Sequence, residues 1–155
     1  MSQLIRHLKF QHRLELIRPL AERWLDAVAP MVEHPMRLIP VPMDRRSLRE
    51  RGFNAAVEIA RVIGHKLNIA TDVKRVVKVR RTPPQSTLSA TQRARIRSGV
   101  FQSIAPTTEE LIAVVDDVVT STETARAVAG CLGTDTNTSV VVWAIARTTP
   151  HRLSR

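Results

Sequence analysis

The sequence has one cysteine, few aromatic residues and no long apolar run, and each shortage excludes a class of protein. One cysteine, Cys131, cannot form an internal disulfide or supply a cysteine-rich zinc site. Aromatic residues make up only 3% of the chain, with no tyrosine, which disfavours modules that stack single-stranded bases on aromatic rings. No stretch approaches the ~20 apolar residues of a membrane span, and charges interrupt the N-terminus too early for a secretory signal. We therefore expect a cytoplasmic protein without membrane insertion.

What the sequence has in excess is positive charge. Its 155 residues are 43% hydrophobic and 25% charged, as expected for one globular domain covering residues 1–155. Twenty-four Lys and Arg against fourteen Asp and Glu give a net charge of +10, and the pI is about 11.4. This excess favours a polyanionic partner, and nucleic acid, phosphorylated ligands and anionic membrane surfaces all remain open.

The N-terminal third predicts a helical segment followed by a strand. Apolar residues recur at mostly helical spacing from Leu4 to Val28, so we expect a helical segment within residues 1–30. Pro19 should end, restart or kink that helix, because proline lacks an N–H and clashes with the preceding turn. The short apolar run Arg37–Pro42 predicts a strand that ends in a loop.

The middle third predicts a helix, a strand and a long basic loop. Phe53–Leu67 carries one apolar face, with Asn54 and Gly64 as its start and end signals. Val73–Val79 is rich in β-branched residues and predicts a strand. Residues 80–99 are polar, basic and proline-containing, which predicts a flexible loop.

The last third predicts a strand–helix–strand unit. Leu111–Val115 is a continuous apolar run, the pattern of a strand buried on both faces. A helix with apolar residues from Ala125 to Leu132 follows and is capped by Gly133, and Ser139–Ala146 predicts a second buried strand. Strand, helix and strand at this spacing form a βαβ unit. The predicted class is α/β, with a mostly parallel sheet flanked by helices.

A candidate site follows the first of these two strands. Ligands of parallel sheets bind beyond the carboxyl ends of the strands, and here Asp116 and Asp117 occupy that place. Two adjacent carboxylates can bind a vicinal diol, and the hydroxyls and N–H groups of Thr120–Thr124 can hold a phosphate at a helix start. Together these groups fit a ribose 5-phosphate. They fit equally well a turn begun by the acids and a helix capped by Thr120, and spacing alone does not decide.

This segment resembles the phosphoribosyl-pyrophosphate signature of type I phosphoribosyltransferases, and the chain as a whole resembles the phosphoribosyltransferase-like domain of the ComF competence family. The signature is a hydrophobic strand, two acids, two variable residues and a Thr-rich phosphate loop. Three further stretches carry the same resemblance: Ile39–Pro42, Arg49–Ala56, and Thr82–Ser86 with Leu88, Ser89 and Arg93 after it. Order and spacing agree from about Leu8 to Arg147, and the resemblance implies a type I phosphoribosyltransferase-like fold.

The resemblance also implies roles for individual residues. Asp116 and Asp117 would bind the ribose 2′- and 3′-hydroxyls at the catalytic centre. The remaining ligand-binding residues implied are Thr120, Ser121, Thr122, Glu123 and Thr124 at the 5′-phosphate, Pro42 and Met43 near the pyrophosphate, and Arg49, Arg51 and Gln85 in family-like motifs. The protein itself would supply no metal site, and magnesium would arrive with a diphosphate ligand.

The phosphate segment departs from the family pattern at two positions. Thr122 and Glu123 stand where the family has Gly and then Ala or Ser. Without the glycine the backbone loses close approach to a ligand, and Glu123 places a negative charge where the phosphate is expected. Thr120 and Glu123 also match a capping box, in which each side chain bonds the other's backbone N–H. We therefore expect weak or absent binding of phosphoribosyl pyrophosphate.

A second departure concerns zinc. Members of the ComF family usually carry an N-terminal zinc ribbon built from paired Cys-x-x-Cys motifs, and this sequence has none. We expect a short variant, a domain-only gene product or a shortened sequence.

Two functions stand as alternatives. The first is a ComF-family protein that binds phosphoribosyl pyrophosphate or another ribose phosphate, with transferase activity in nucleotide metabolism if the altered phosphate loop permits it. The second is a non-catalytic member of the same fold that binds DNA or competence-machinery proteins through its basic surface during DNA uptake. An unrelated basic nucleic-acid-binding domain is disfavoured, because the four motifs would then coincide by chance.

Overall fold

The protein is built around a parallel four-stranded sheet with helices on both faces. The computed structural model describes residues 14–79, 99–119, 123–132 and 138–147. Its strands are β1 (Arg37–Pro40), β2 (Ala70–Thr71), β3 (Val76–Lys78), β4 (Phe101–Ser103), β5 (Leu111–Val119) and β6 (Ser139–Arg147). Its α-helices are α1 (Ile17–Ala27), α2 (Arg45–Arg51), α3 (Ala55–Leu67) and α4 (Glu123–Cys131), with 3-10 turns at Leu14–Leu16 and Ala29–Met31.

The main sheet has the strand order β2-β1-β5-β6, and all three of its strand pairs are parallel. Strands β3 and β4 pair antiparallel as a separate two-stranded sheet. The fold is therefore α/β, with a parallel sheet flanked by helices, and is compatible with a type I phosphoribosyltransferase-like fold. None of the helices described is long and apolar enough to cross a bilayer, the longest having 13 residues.

Strand β5 separates two hydrophobic cores. Ala113 and Val115 face the core formed with α1 and α3, whereas Ile112 and Val114 face the core formed with α4 and the small sheet. Side chains of a strand alternate between faces, so burial on both faces requires a continuous apolar run. This confirms the strand predicted at Leu111–Val115.

Strand β5 is longer than its apolar run. It continues through Asp116 and Asp117 to Val119, and Asp116 pairs with Ala144 of β6. The prediction that the two acids follow the end of the strand is therefore wrong, and so is the alternative that they begin a turn. Pairing with β6 outweighs the low strand propensity of aspartate and keeps both residues extended.

Strand β6 lies at the edge of the main sheet. The predicted strand position is confirmed, but the predicted burial is wrong, because Trp143 is the only buried residue among its nine. Its neighbour in the sheet is β5 alone, so its outer edge has no strand against it within the part of the chain described. Trp143 packs on Trp24 of α1, with 4.7 Å between ring centroids.

The N-terminal elements agree with the prediction at the positions described. Helix α1 starts two residues before Pro19, so the proline lies in the first turn, where its missing N–H has no intrahelical acceptor to lose. Pro19 was predicted to end, restart or kink a helix, and the structure shows it near the start of one. Strand β1 ends at Pro40, and the next backbone N–H, that of Val41, donates to the Val115 carbonyl at 2.8 Å. Residues 1–13 and the basic segment 80–98 lie outside the described residues, as does Gly133.

Helix α3 confirms the predicted helix and Asn54 as its N-cap, but Gly64 is not its end signal. Asn54 accepts a hydrogen bond from the Ala56 N–H, and the helix ends at Leu67 with Asn68, a left-handed residue with φ of 55°, as its C-cap. Gly64 lies inside the helix against the chain leading to β2. A Cβ there would lie 2.5 Å from Thr71 Oγ1, so a larger residue would clash.

The predicted strand Val73–Val79 is shorter in the structure. Residues 73–75 form a bend, because the Asp72 carboxylate accepts from the N–H groups of Lys74 and Arg75. Only Val76–Lys78 is a strand, and its antiparallel partner β4 has too short a pattern for the sequence to have predicted it.

A buried ion-pair network lies between the two sheets. Glu109 is only 7% exposed and accepts hydrogen bonds from the Arg37 guanidinium and from the Thr108 N–H. Arg75 Nη2 lies 3.6 Å from the same carboxylate, while Arg75 Nε donates to Asp72 at 3.0 Å. The network therefore fixes the start of β3 against β1.

Cys131 was predicted to be a core residue and is half-buried at the end of α4. Burial raises the pKa of its thiol, which is accordingly a weak nucleophile at neutral pH. Its Sγ donates to the Val128 carbonyl at 3.0 Å. The structure supports a packing role for this residue.

Candidate functional site

A cleft opens where the strand order of the main sheet reverses. The connection from β1 runs through α2 and α3 to β2 on one side, and the connection from β5 runs through α4 to β6 on the other. The carboxyl ends of β1 and β5 are therefore neighbours whose following chains diverge. Ligands of open α/β sheets bind in the crevice at such a position.

Strand β5 extends farther than its neighbour β1 at their shared carboxyl end. This difference in length determines where Asp116 and Asp117 lie. Strand β1 stops at Pro40, which pairs with Val115, whereas β5 runs on to Val119 with β6 alone beside it. Asp116 and Asp117 therefore lie just past the end of β1, next to the loop that leaves it. Both residues are half-buried.

Backbone hydrogen bonds orient both carboxylates. Asp116 Oδ1 accepts from the Asp117 N–H at 2.9 Å, and Asp117 Oδ1 accepts from the Val118 N–H at 2.8 Å. Each acid is thus held by the N–H of the residue after it. Carboxylates fixed in this way are suited to accept hydrogen bonds from hydroxyl groups of a ligand.

The loop opposite the acids is also held in place. Asn54 Nδ2 donates to the Val41 carbonyl at 2.9 Å, which ties the loop after β1 to the start of α3. Asp44 caps α2, accepting at 2.9 Å from both the N–H and the hydroxyl of Ser47. This wall of the cleft is held by hydrogen bonds of the Asn54 and Asp44 side chains that do not need a ligand.

These elements enclose a cleft of about 210 Å³, called here the β1–β5 cleft. Its polar and loop residues from the β1 side are Pro42, Met43, Asp44, Ser47, Arg51 and Asn54. Asp116 and Asp117 of β5 and Lys78 of β3 also line the cleft, as do the apolar residues Val41, Ala55 and Ala56. Among the described residues, the cleft therefore combines the carboxylates of Asp44, Asp116 and Asp117 with the cationic groups of Arg51 and Lys78.

The structure brings together five of the residues proposed from the sequence: Asp116, Asp117, Pro42, Met43 and Arg51. Arg49 is exposed on α2, donates to the Arg45 carbonyl at 3.3 Å and does not line the cleft. Glu123 and Thr124 are half-buried in the first turn of α4. Thr120, Ser121, Thr122 and Gln85 lie outside the described residues.

Sequence reasoning did not predict four polar residues of the lining: Asp44, Ser47, Lys78 and Asn54, which was predicted only as a helix start. A signal existed for Asp44, because an aspartate before a helix with a serine three residues later is typical of an N-cap. Lys78 has no local signal, because the antiparallel pairing of β3 with β4 determines where it lies. In the described portion of the chain, no three His, Cys, Asp or Glu side chains form a cluster that could hold a metal ion.

Fold and cleft together define the class of protein: an α/β protein compatible with the type I phosphoribosyltransferase-like fold, with paired acids at the reversal of strand order. No protein-family model matches the sequence. The chain is 32% identical over 153 residues to the DNA utilization protein YhgH of Salmonella typhimurium, covering 96% of this chain and 67% of that protein. The protein of the same name from Escherichia coli K12 is 31% identical over the same shares.

The chain is also similar to a protein named for competence. Competence protein F of Haemophilus influenzae is 30% identical over 156 residues, covering 95% of this chain and 68% of that protein. The chain belongs to the ComF-type competence family. Its relatives carry names from competence and DNA utilization.

Proposed function

We propose that this protein binds a phosphorylated ribose, such as phosphoribosyl pyrophosphate, in the β1–β5 cleft. The observation that carries the proposal is that Asp116 and Asp117, oriented by backbone N–H groups, line one cleft with Pro42, Met43 and Arg51. The acids accept hydrogen bonds from the ribose 2′- and 3′-hydroxyls. Thr120–Thr124, between β5 and the first turn of α4, hold the 5′-phosphate, which a helix N-terminus favours.

The cleft is compatible with phosphoribosyl transfer. In that reaction a bond forms between the acceptor atom and ribose C1′ while the C1′–oxygen bond to diphosphate breaks, and the bonding electrons leave with the diphosphate. The transition state carries positive charge at the sugar, which nearby carboxylates stabilise, and most of the catalysis comes from positioning. Magnesium would arrive with the diphosphate ligand and would neutralise part of its charge. No covalent nucleophile is required of the protein.

The altered phosphate loop sets the expected affinity. A charged Glu123 at ~5 Å from a phosphate, at an effective dielectric near 20, opposes it by roughly 3 kcal/mol per unit of phosphate charge. That opposes binding by more than the ~0.3–1 kcal/mol that a helix dipole contributes. We expect the natural protein to bind phosphoribosyl pyrophosphate weakly or not measurably.

Restoring the family loop should therefore strengthen binding. The double change Thr122→Gly with Glu123→Ala removes the charge and the capping side chain, and we expect at least a ~10-fold gain in affinity. The empty variant should unfold at a slightly lower temperature, because an N-cap interaction is lost. Calorimetric titration of both proteins with phosphoribosyl pyrophosphate and magnesium measures the gain. Tight binding before the change, or no gain after it, would show that the loop argument is wrong.

A second candidate function is DNA binding, supported by the exposed arginines of α2. Arg45, Arg46 and Arg49 are exposed on one short helix beside the cleft, and several relatives are named for DNA utilization. If this surface binds duplex DNA, log affinity should fall by about 0.9 per log unit of salt for each phosphate neutralised. Changing the three arginines to alanine should flatten that slope.

A control for DNA binding lies on α1, where two arginines, Arg18 and Arg23, are also exposed. Their change to alanine removes charge from another helix and should leave most of the slope in place. Fluorescence anisotropy with a labelled duplex at several salt concentrations measures both slopes. A slope near zero in the unmodified protein would remove this candidate.

A further inference from the structure

The outer edge of β6, called here the β6 edge, lacks the features that keep strands apart. In the part of the chain that the structure describes, β5 is the only strand beside β6, which runs for nine residues from Ser139 to Arg147. Proteins usually protect such an edge with a short strand, a lysine, a proline or a bulge. Residues 139–146 contain no charged residue and no proline, and the register with β5 is the same at both ends of the strand. The β6 edge is therefore open to pairing with another strand.

A hydrogen bond to the chain before β5 shows which backbone groups of β6 point outward. The Ser139 N–H donates to the Glu110 carbonyl at 2.7 Å, so the backbone of Ser139 faces β5. The N–H and C=O groups of successive residues in a strand point to opposite sides. The even-numbered residues therefore direct their backbone groups to the β6 edge: Val140, Val142, Ala144 and Ala146. Each offers one donor and one acceptor to a second strand.

The side chains of these four residues share one face of the sheet, and this face is not fully covered. Val140 packs against the core beneath α4, whereas Val142 is 42% exposed. The side chains of the residues between them lie on the other face, in or against the core formed with α1 and α3. Pairing along the β6 edge would therefore remove apolar surface of Val142 from water without disturbing that core.

The strand is complementary to a second copy of itself. When two β6 strands run antiparallel about a two-fold axis at Trp143, Val142 lies opposite Ala144 of the second copy. Val140 then lies opposite Ala146 of the second copy. The outward N–H and C=O groups of these residues face one another, as the hydrogen-bonded pairs of an antiparallel ladder require. Each valine is opposed by a smaller alanine, so the exposed face has room for both.

The distribution of charge favours the same partner. The chain carries a net charge of +10, so two copies repel each other over most orientations. The β6 edge is uncharged until Arg147, and the antiparallel arrangement places Arg147 opposite Ser139 of the second copy. Like charges are therefore not opposed along the pair, which would otherwise destabilise it. A polyanion finds no cation along residues 139–146, so an uncharged strand is the partner that this edge fits.

We propose that two copies of this protein associate through antiparallel pairing of their β6 strands, which joins their two four-stranded sheets into one continuous sheet. The two-fold axis uses the same surface on both copies, so association stops at two chains. Because the net charge of each copy opposes association, added salt should strengthen it. The inference does not depend on which ligand binds in the β1–β5 cleft.

Hydrogen exchange of single backbone amides in the full natural chain tests the pairing directly. The N–H groups of the four outward residues should exchange slowly in concentrated protein and faster on dilution. Light scattering should show the mass falling over the same range from twice 17.4 kDa to 17.4 kDa. The N–H groups that point to β5 are the internal control, because their protection should not depend on association: Val141, Trp143 and Ile145.

Substitutions at Val142 test the register. With the axis at Trp143, the two copies of position 142 are diagonal neighbours across the pair, about 7–8 Å apart. Val142→Lys places two like charges there and should weaken association by at least about tenfold, as should Val142→Glu. An equal mixture of the two variants should associate again, because opposite charges then meet, and a folding defect could not be corrected by mixing. Ile104→Lys, which adds the same charge at a 61% exposed position outside β6, should leave association unchanged.

Three results would overturn the proposal. If the outward N–H groups exchange rapidly at every concentration, no second copy covers the β6 edge. If they are protected equally at every concentration while the mass stays at one chain, another segment of this chain covers the edge. If two chains associate but Val142→Lys does not weaken the association, or mixing the two variants does not restore it, the interface lies elsewhere on the protein.

Discussion

Changing Asp116 and Asp117 together to asparagine is expected to remove measurable binding of ribose phosphates and to leave the fold intact. Each charged hydrogen bond lost costs roughly 1.5–3 kcal/mol, so the pair accounts for roughly a hundredfold to ten-thousandfold in affinity. The fold should survive, because an asparagine Oδ1 can accept the same backbone N–H that each aspartate accepts. The affinities are measured by calorimetric titration in the Thr122→Gly, Glu123→Ala variant, because its tighter binding allows a loss of this size to be measured.

The control for the double change is Asp26→Asn, which removes an exposed carboxylate from α1. It removes one negative charge instead of two and lies outside the cleft, so the affinity for ribose phosphates should not change. Circular dichroism should give the same unfolding temperature for the double variant as for its parent, within a few degrees. Unchanged affinity in the double variant would end the assignment of the diol to these acids.

The second large effect is a loss in the free energy of unfolding when Glu109 is replaced. Glu109→Gln leaves the guanidinium groups of Arg37 and Arg75 without their buried counter-charge. Breaking a buried pair costs about 3–5 kcal/mol, and we expect the lower end because the Arg37 side chain is 32% exposed. Urea unfolding at neutral pH measures the loss. Glu22→Gln, which breaks an exposed pair with Arg18, should change the midpoint little.

The effect of Glu109 should depend on pH in a fixed direction. Burial pushes the pKa of Glu109 upward, but the hydrogen bonds from Arg37 and from backbone N–H groups outweigh burial and hold it below the ordinary value of 4.5. A carboxyl with a lower pKa in the folded state stabilises the protein above its unfolded pKa. That stabilisation is lost as the pH falls through the folded pKa. The difference between natural protein and Glu109→Gln should therefore be largest at neutral pH and shrink in acid, and a constant difference would contradict the ion-pair explanation.

Local patterns in the sequence predicted the main elements of the fold. The continuous apolar run Leu111–Val115 and the apolar helix face from Phe53 to Leu67 are both clear local patterns, and both correspond to elements of the structure. The end of β5 was not predictable in the same way. Asp116 and Asp117 have low strand propensity, and only pairing with β6 keeps them in the strand.

The candidate site was predictable in part, for a similar reason. The two acids stand in a motif and could be named from the sequence alone. Lys78 lies far from that motif along the chain, and only the small sheet and the Glu109 network bring it to the cleft. The role of Gly64 was not predictable for the same reason. A side chain cannot fit there because Thr71 of β2 packs against this position of the helix. Interactions that depend on tertiary packing leave no periodic trace in a single sequence.

The central claim is that the β1–β5 cleft binds ribose through its 2′,3′-diol, and one comparison of two ligands tests it. Ribose 5-phosphate and 2-deoxyribose 5-phosphate carry the same phosphate and differ only in the 2′-hydroxyl, which Asp116 and Asp117 would bind. Titrated into the Thr122→Gly, Glu123→Ala variant, ribose 5-phosphate should bind at least about tenfold more tightly, as one charged hydrogen bond requires. Equal affinity for the two sugars would contradict the claim.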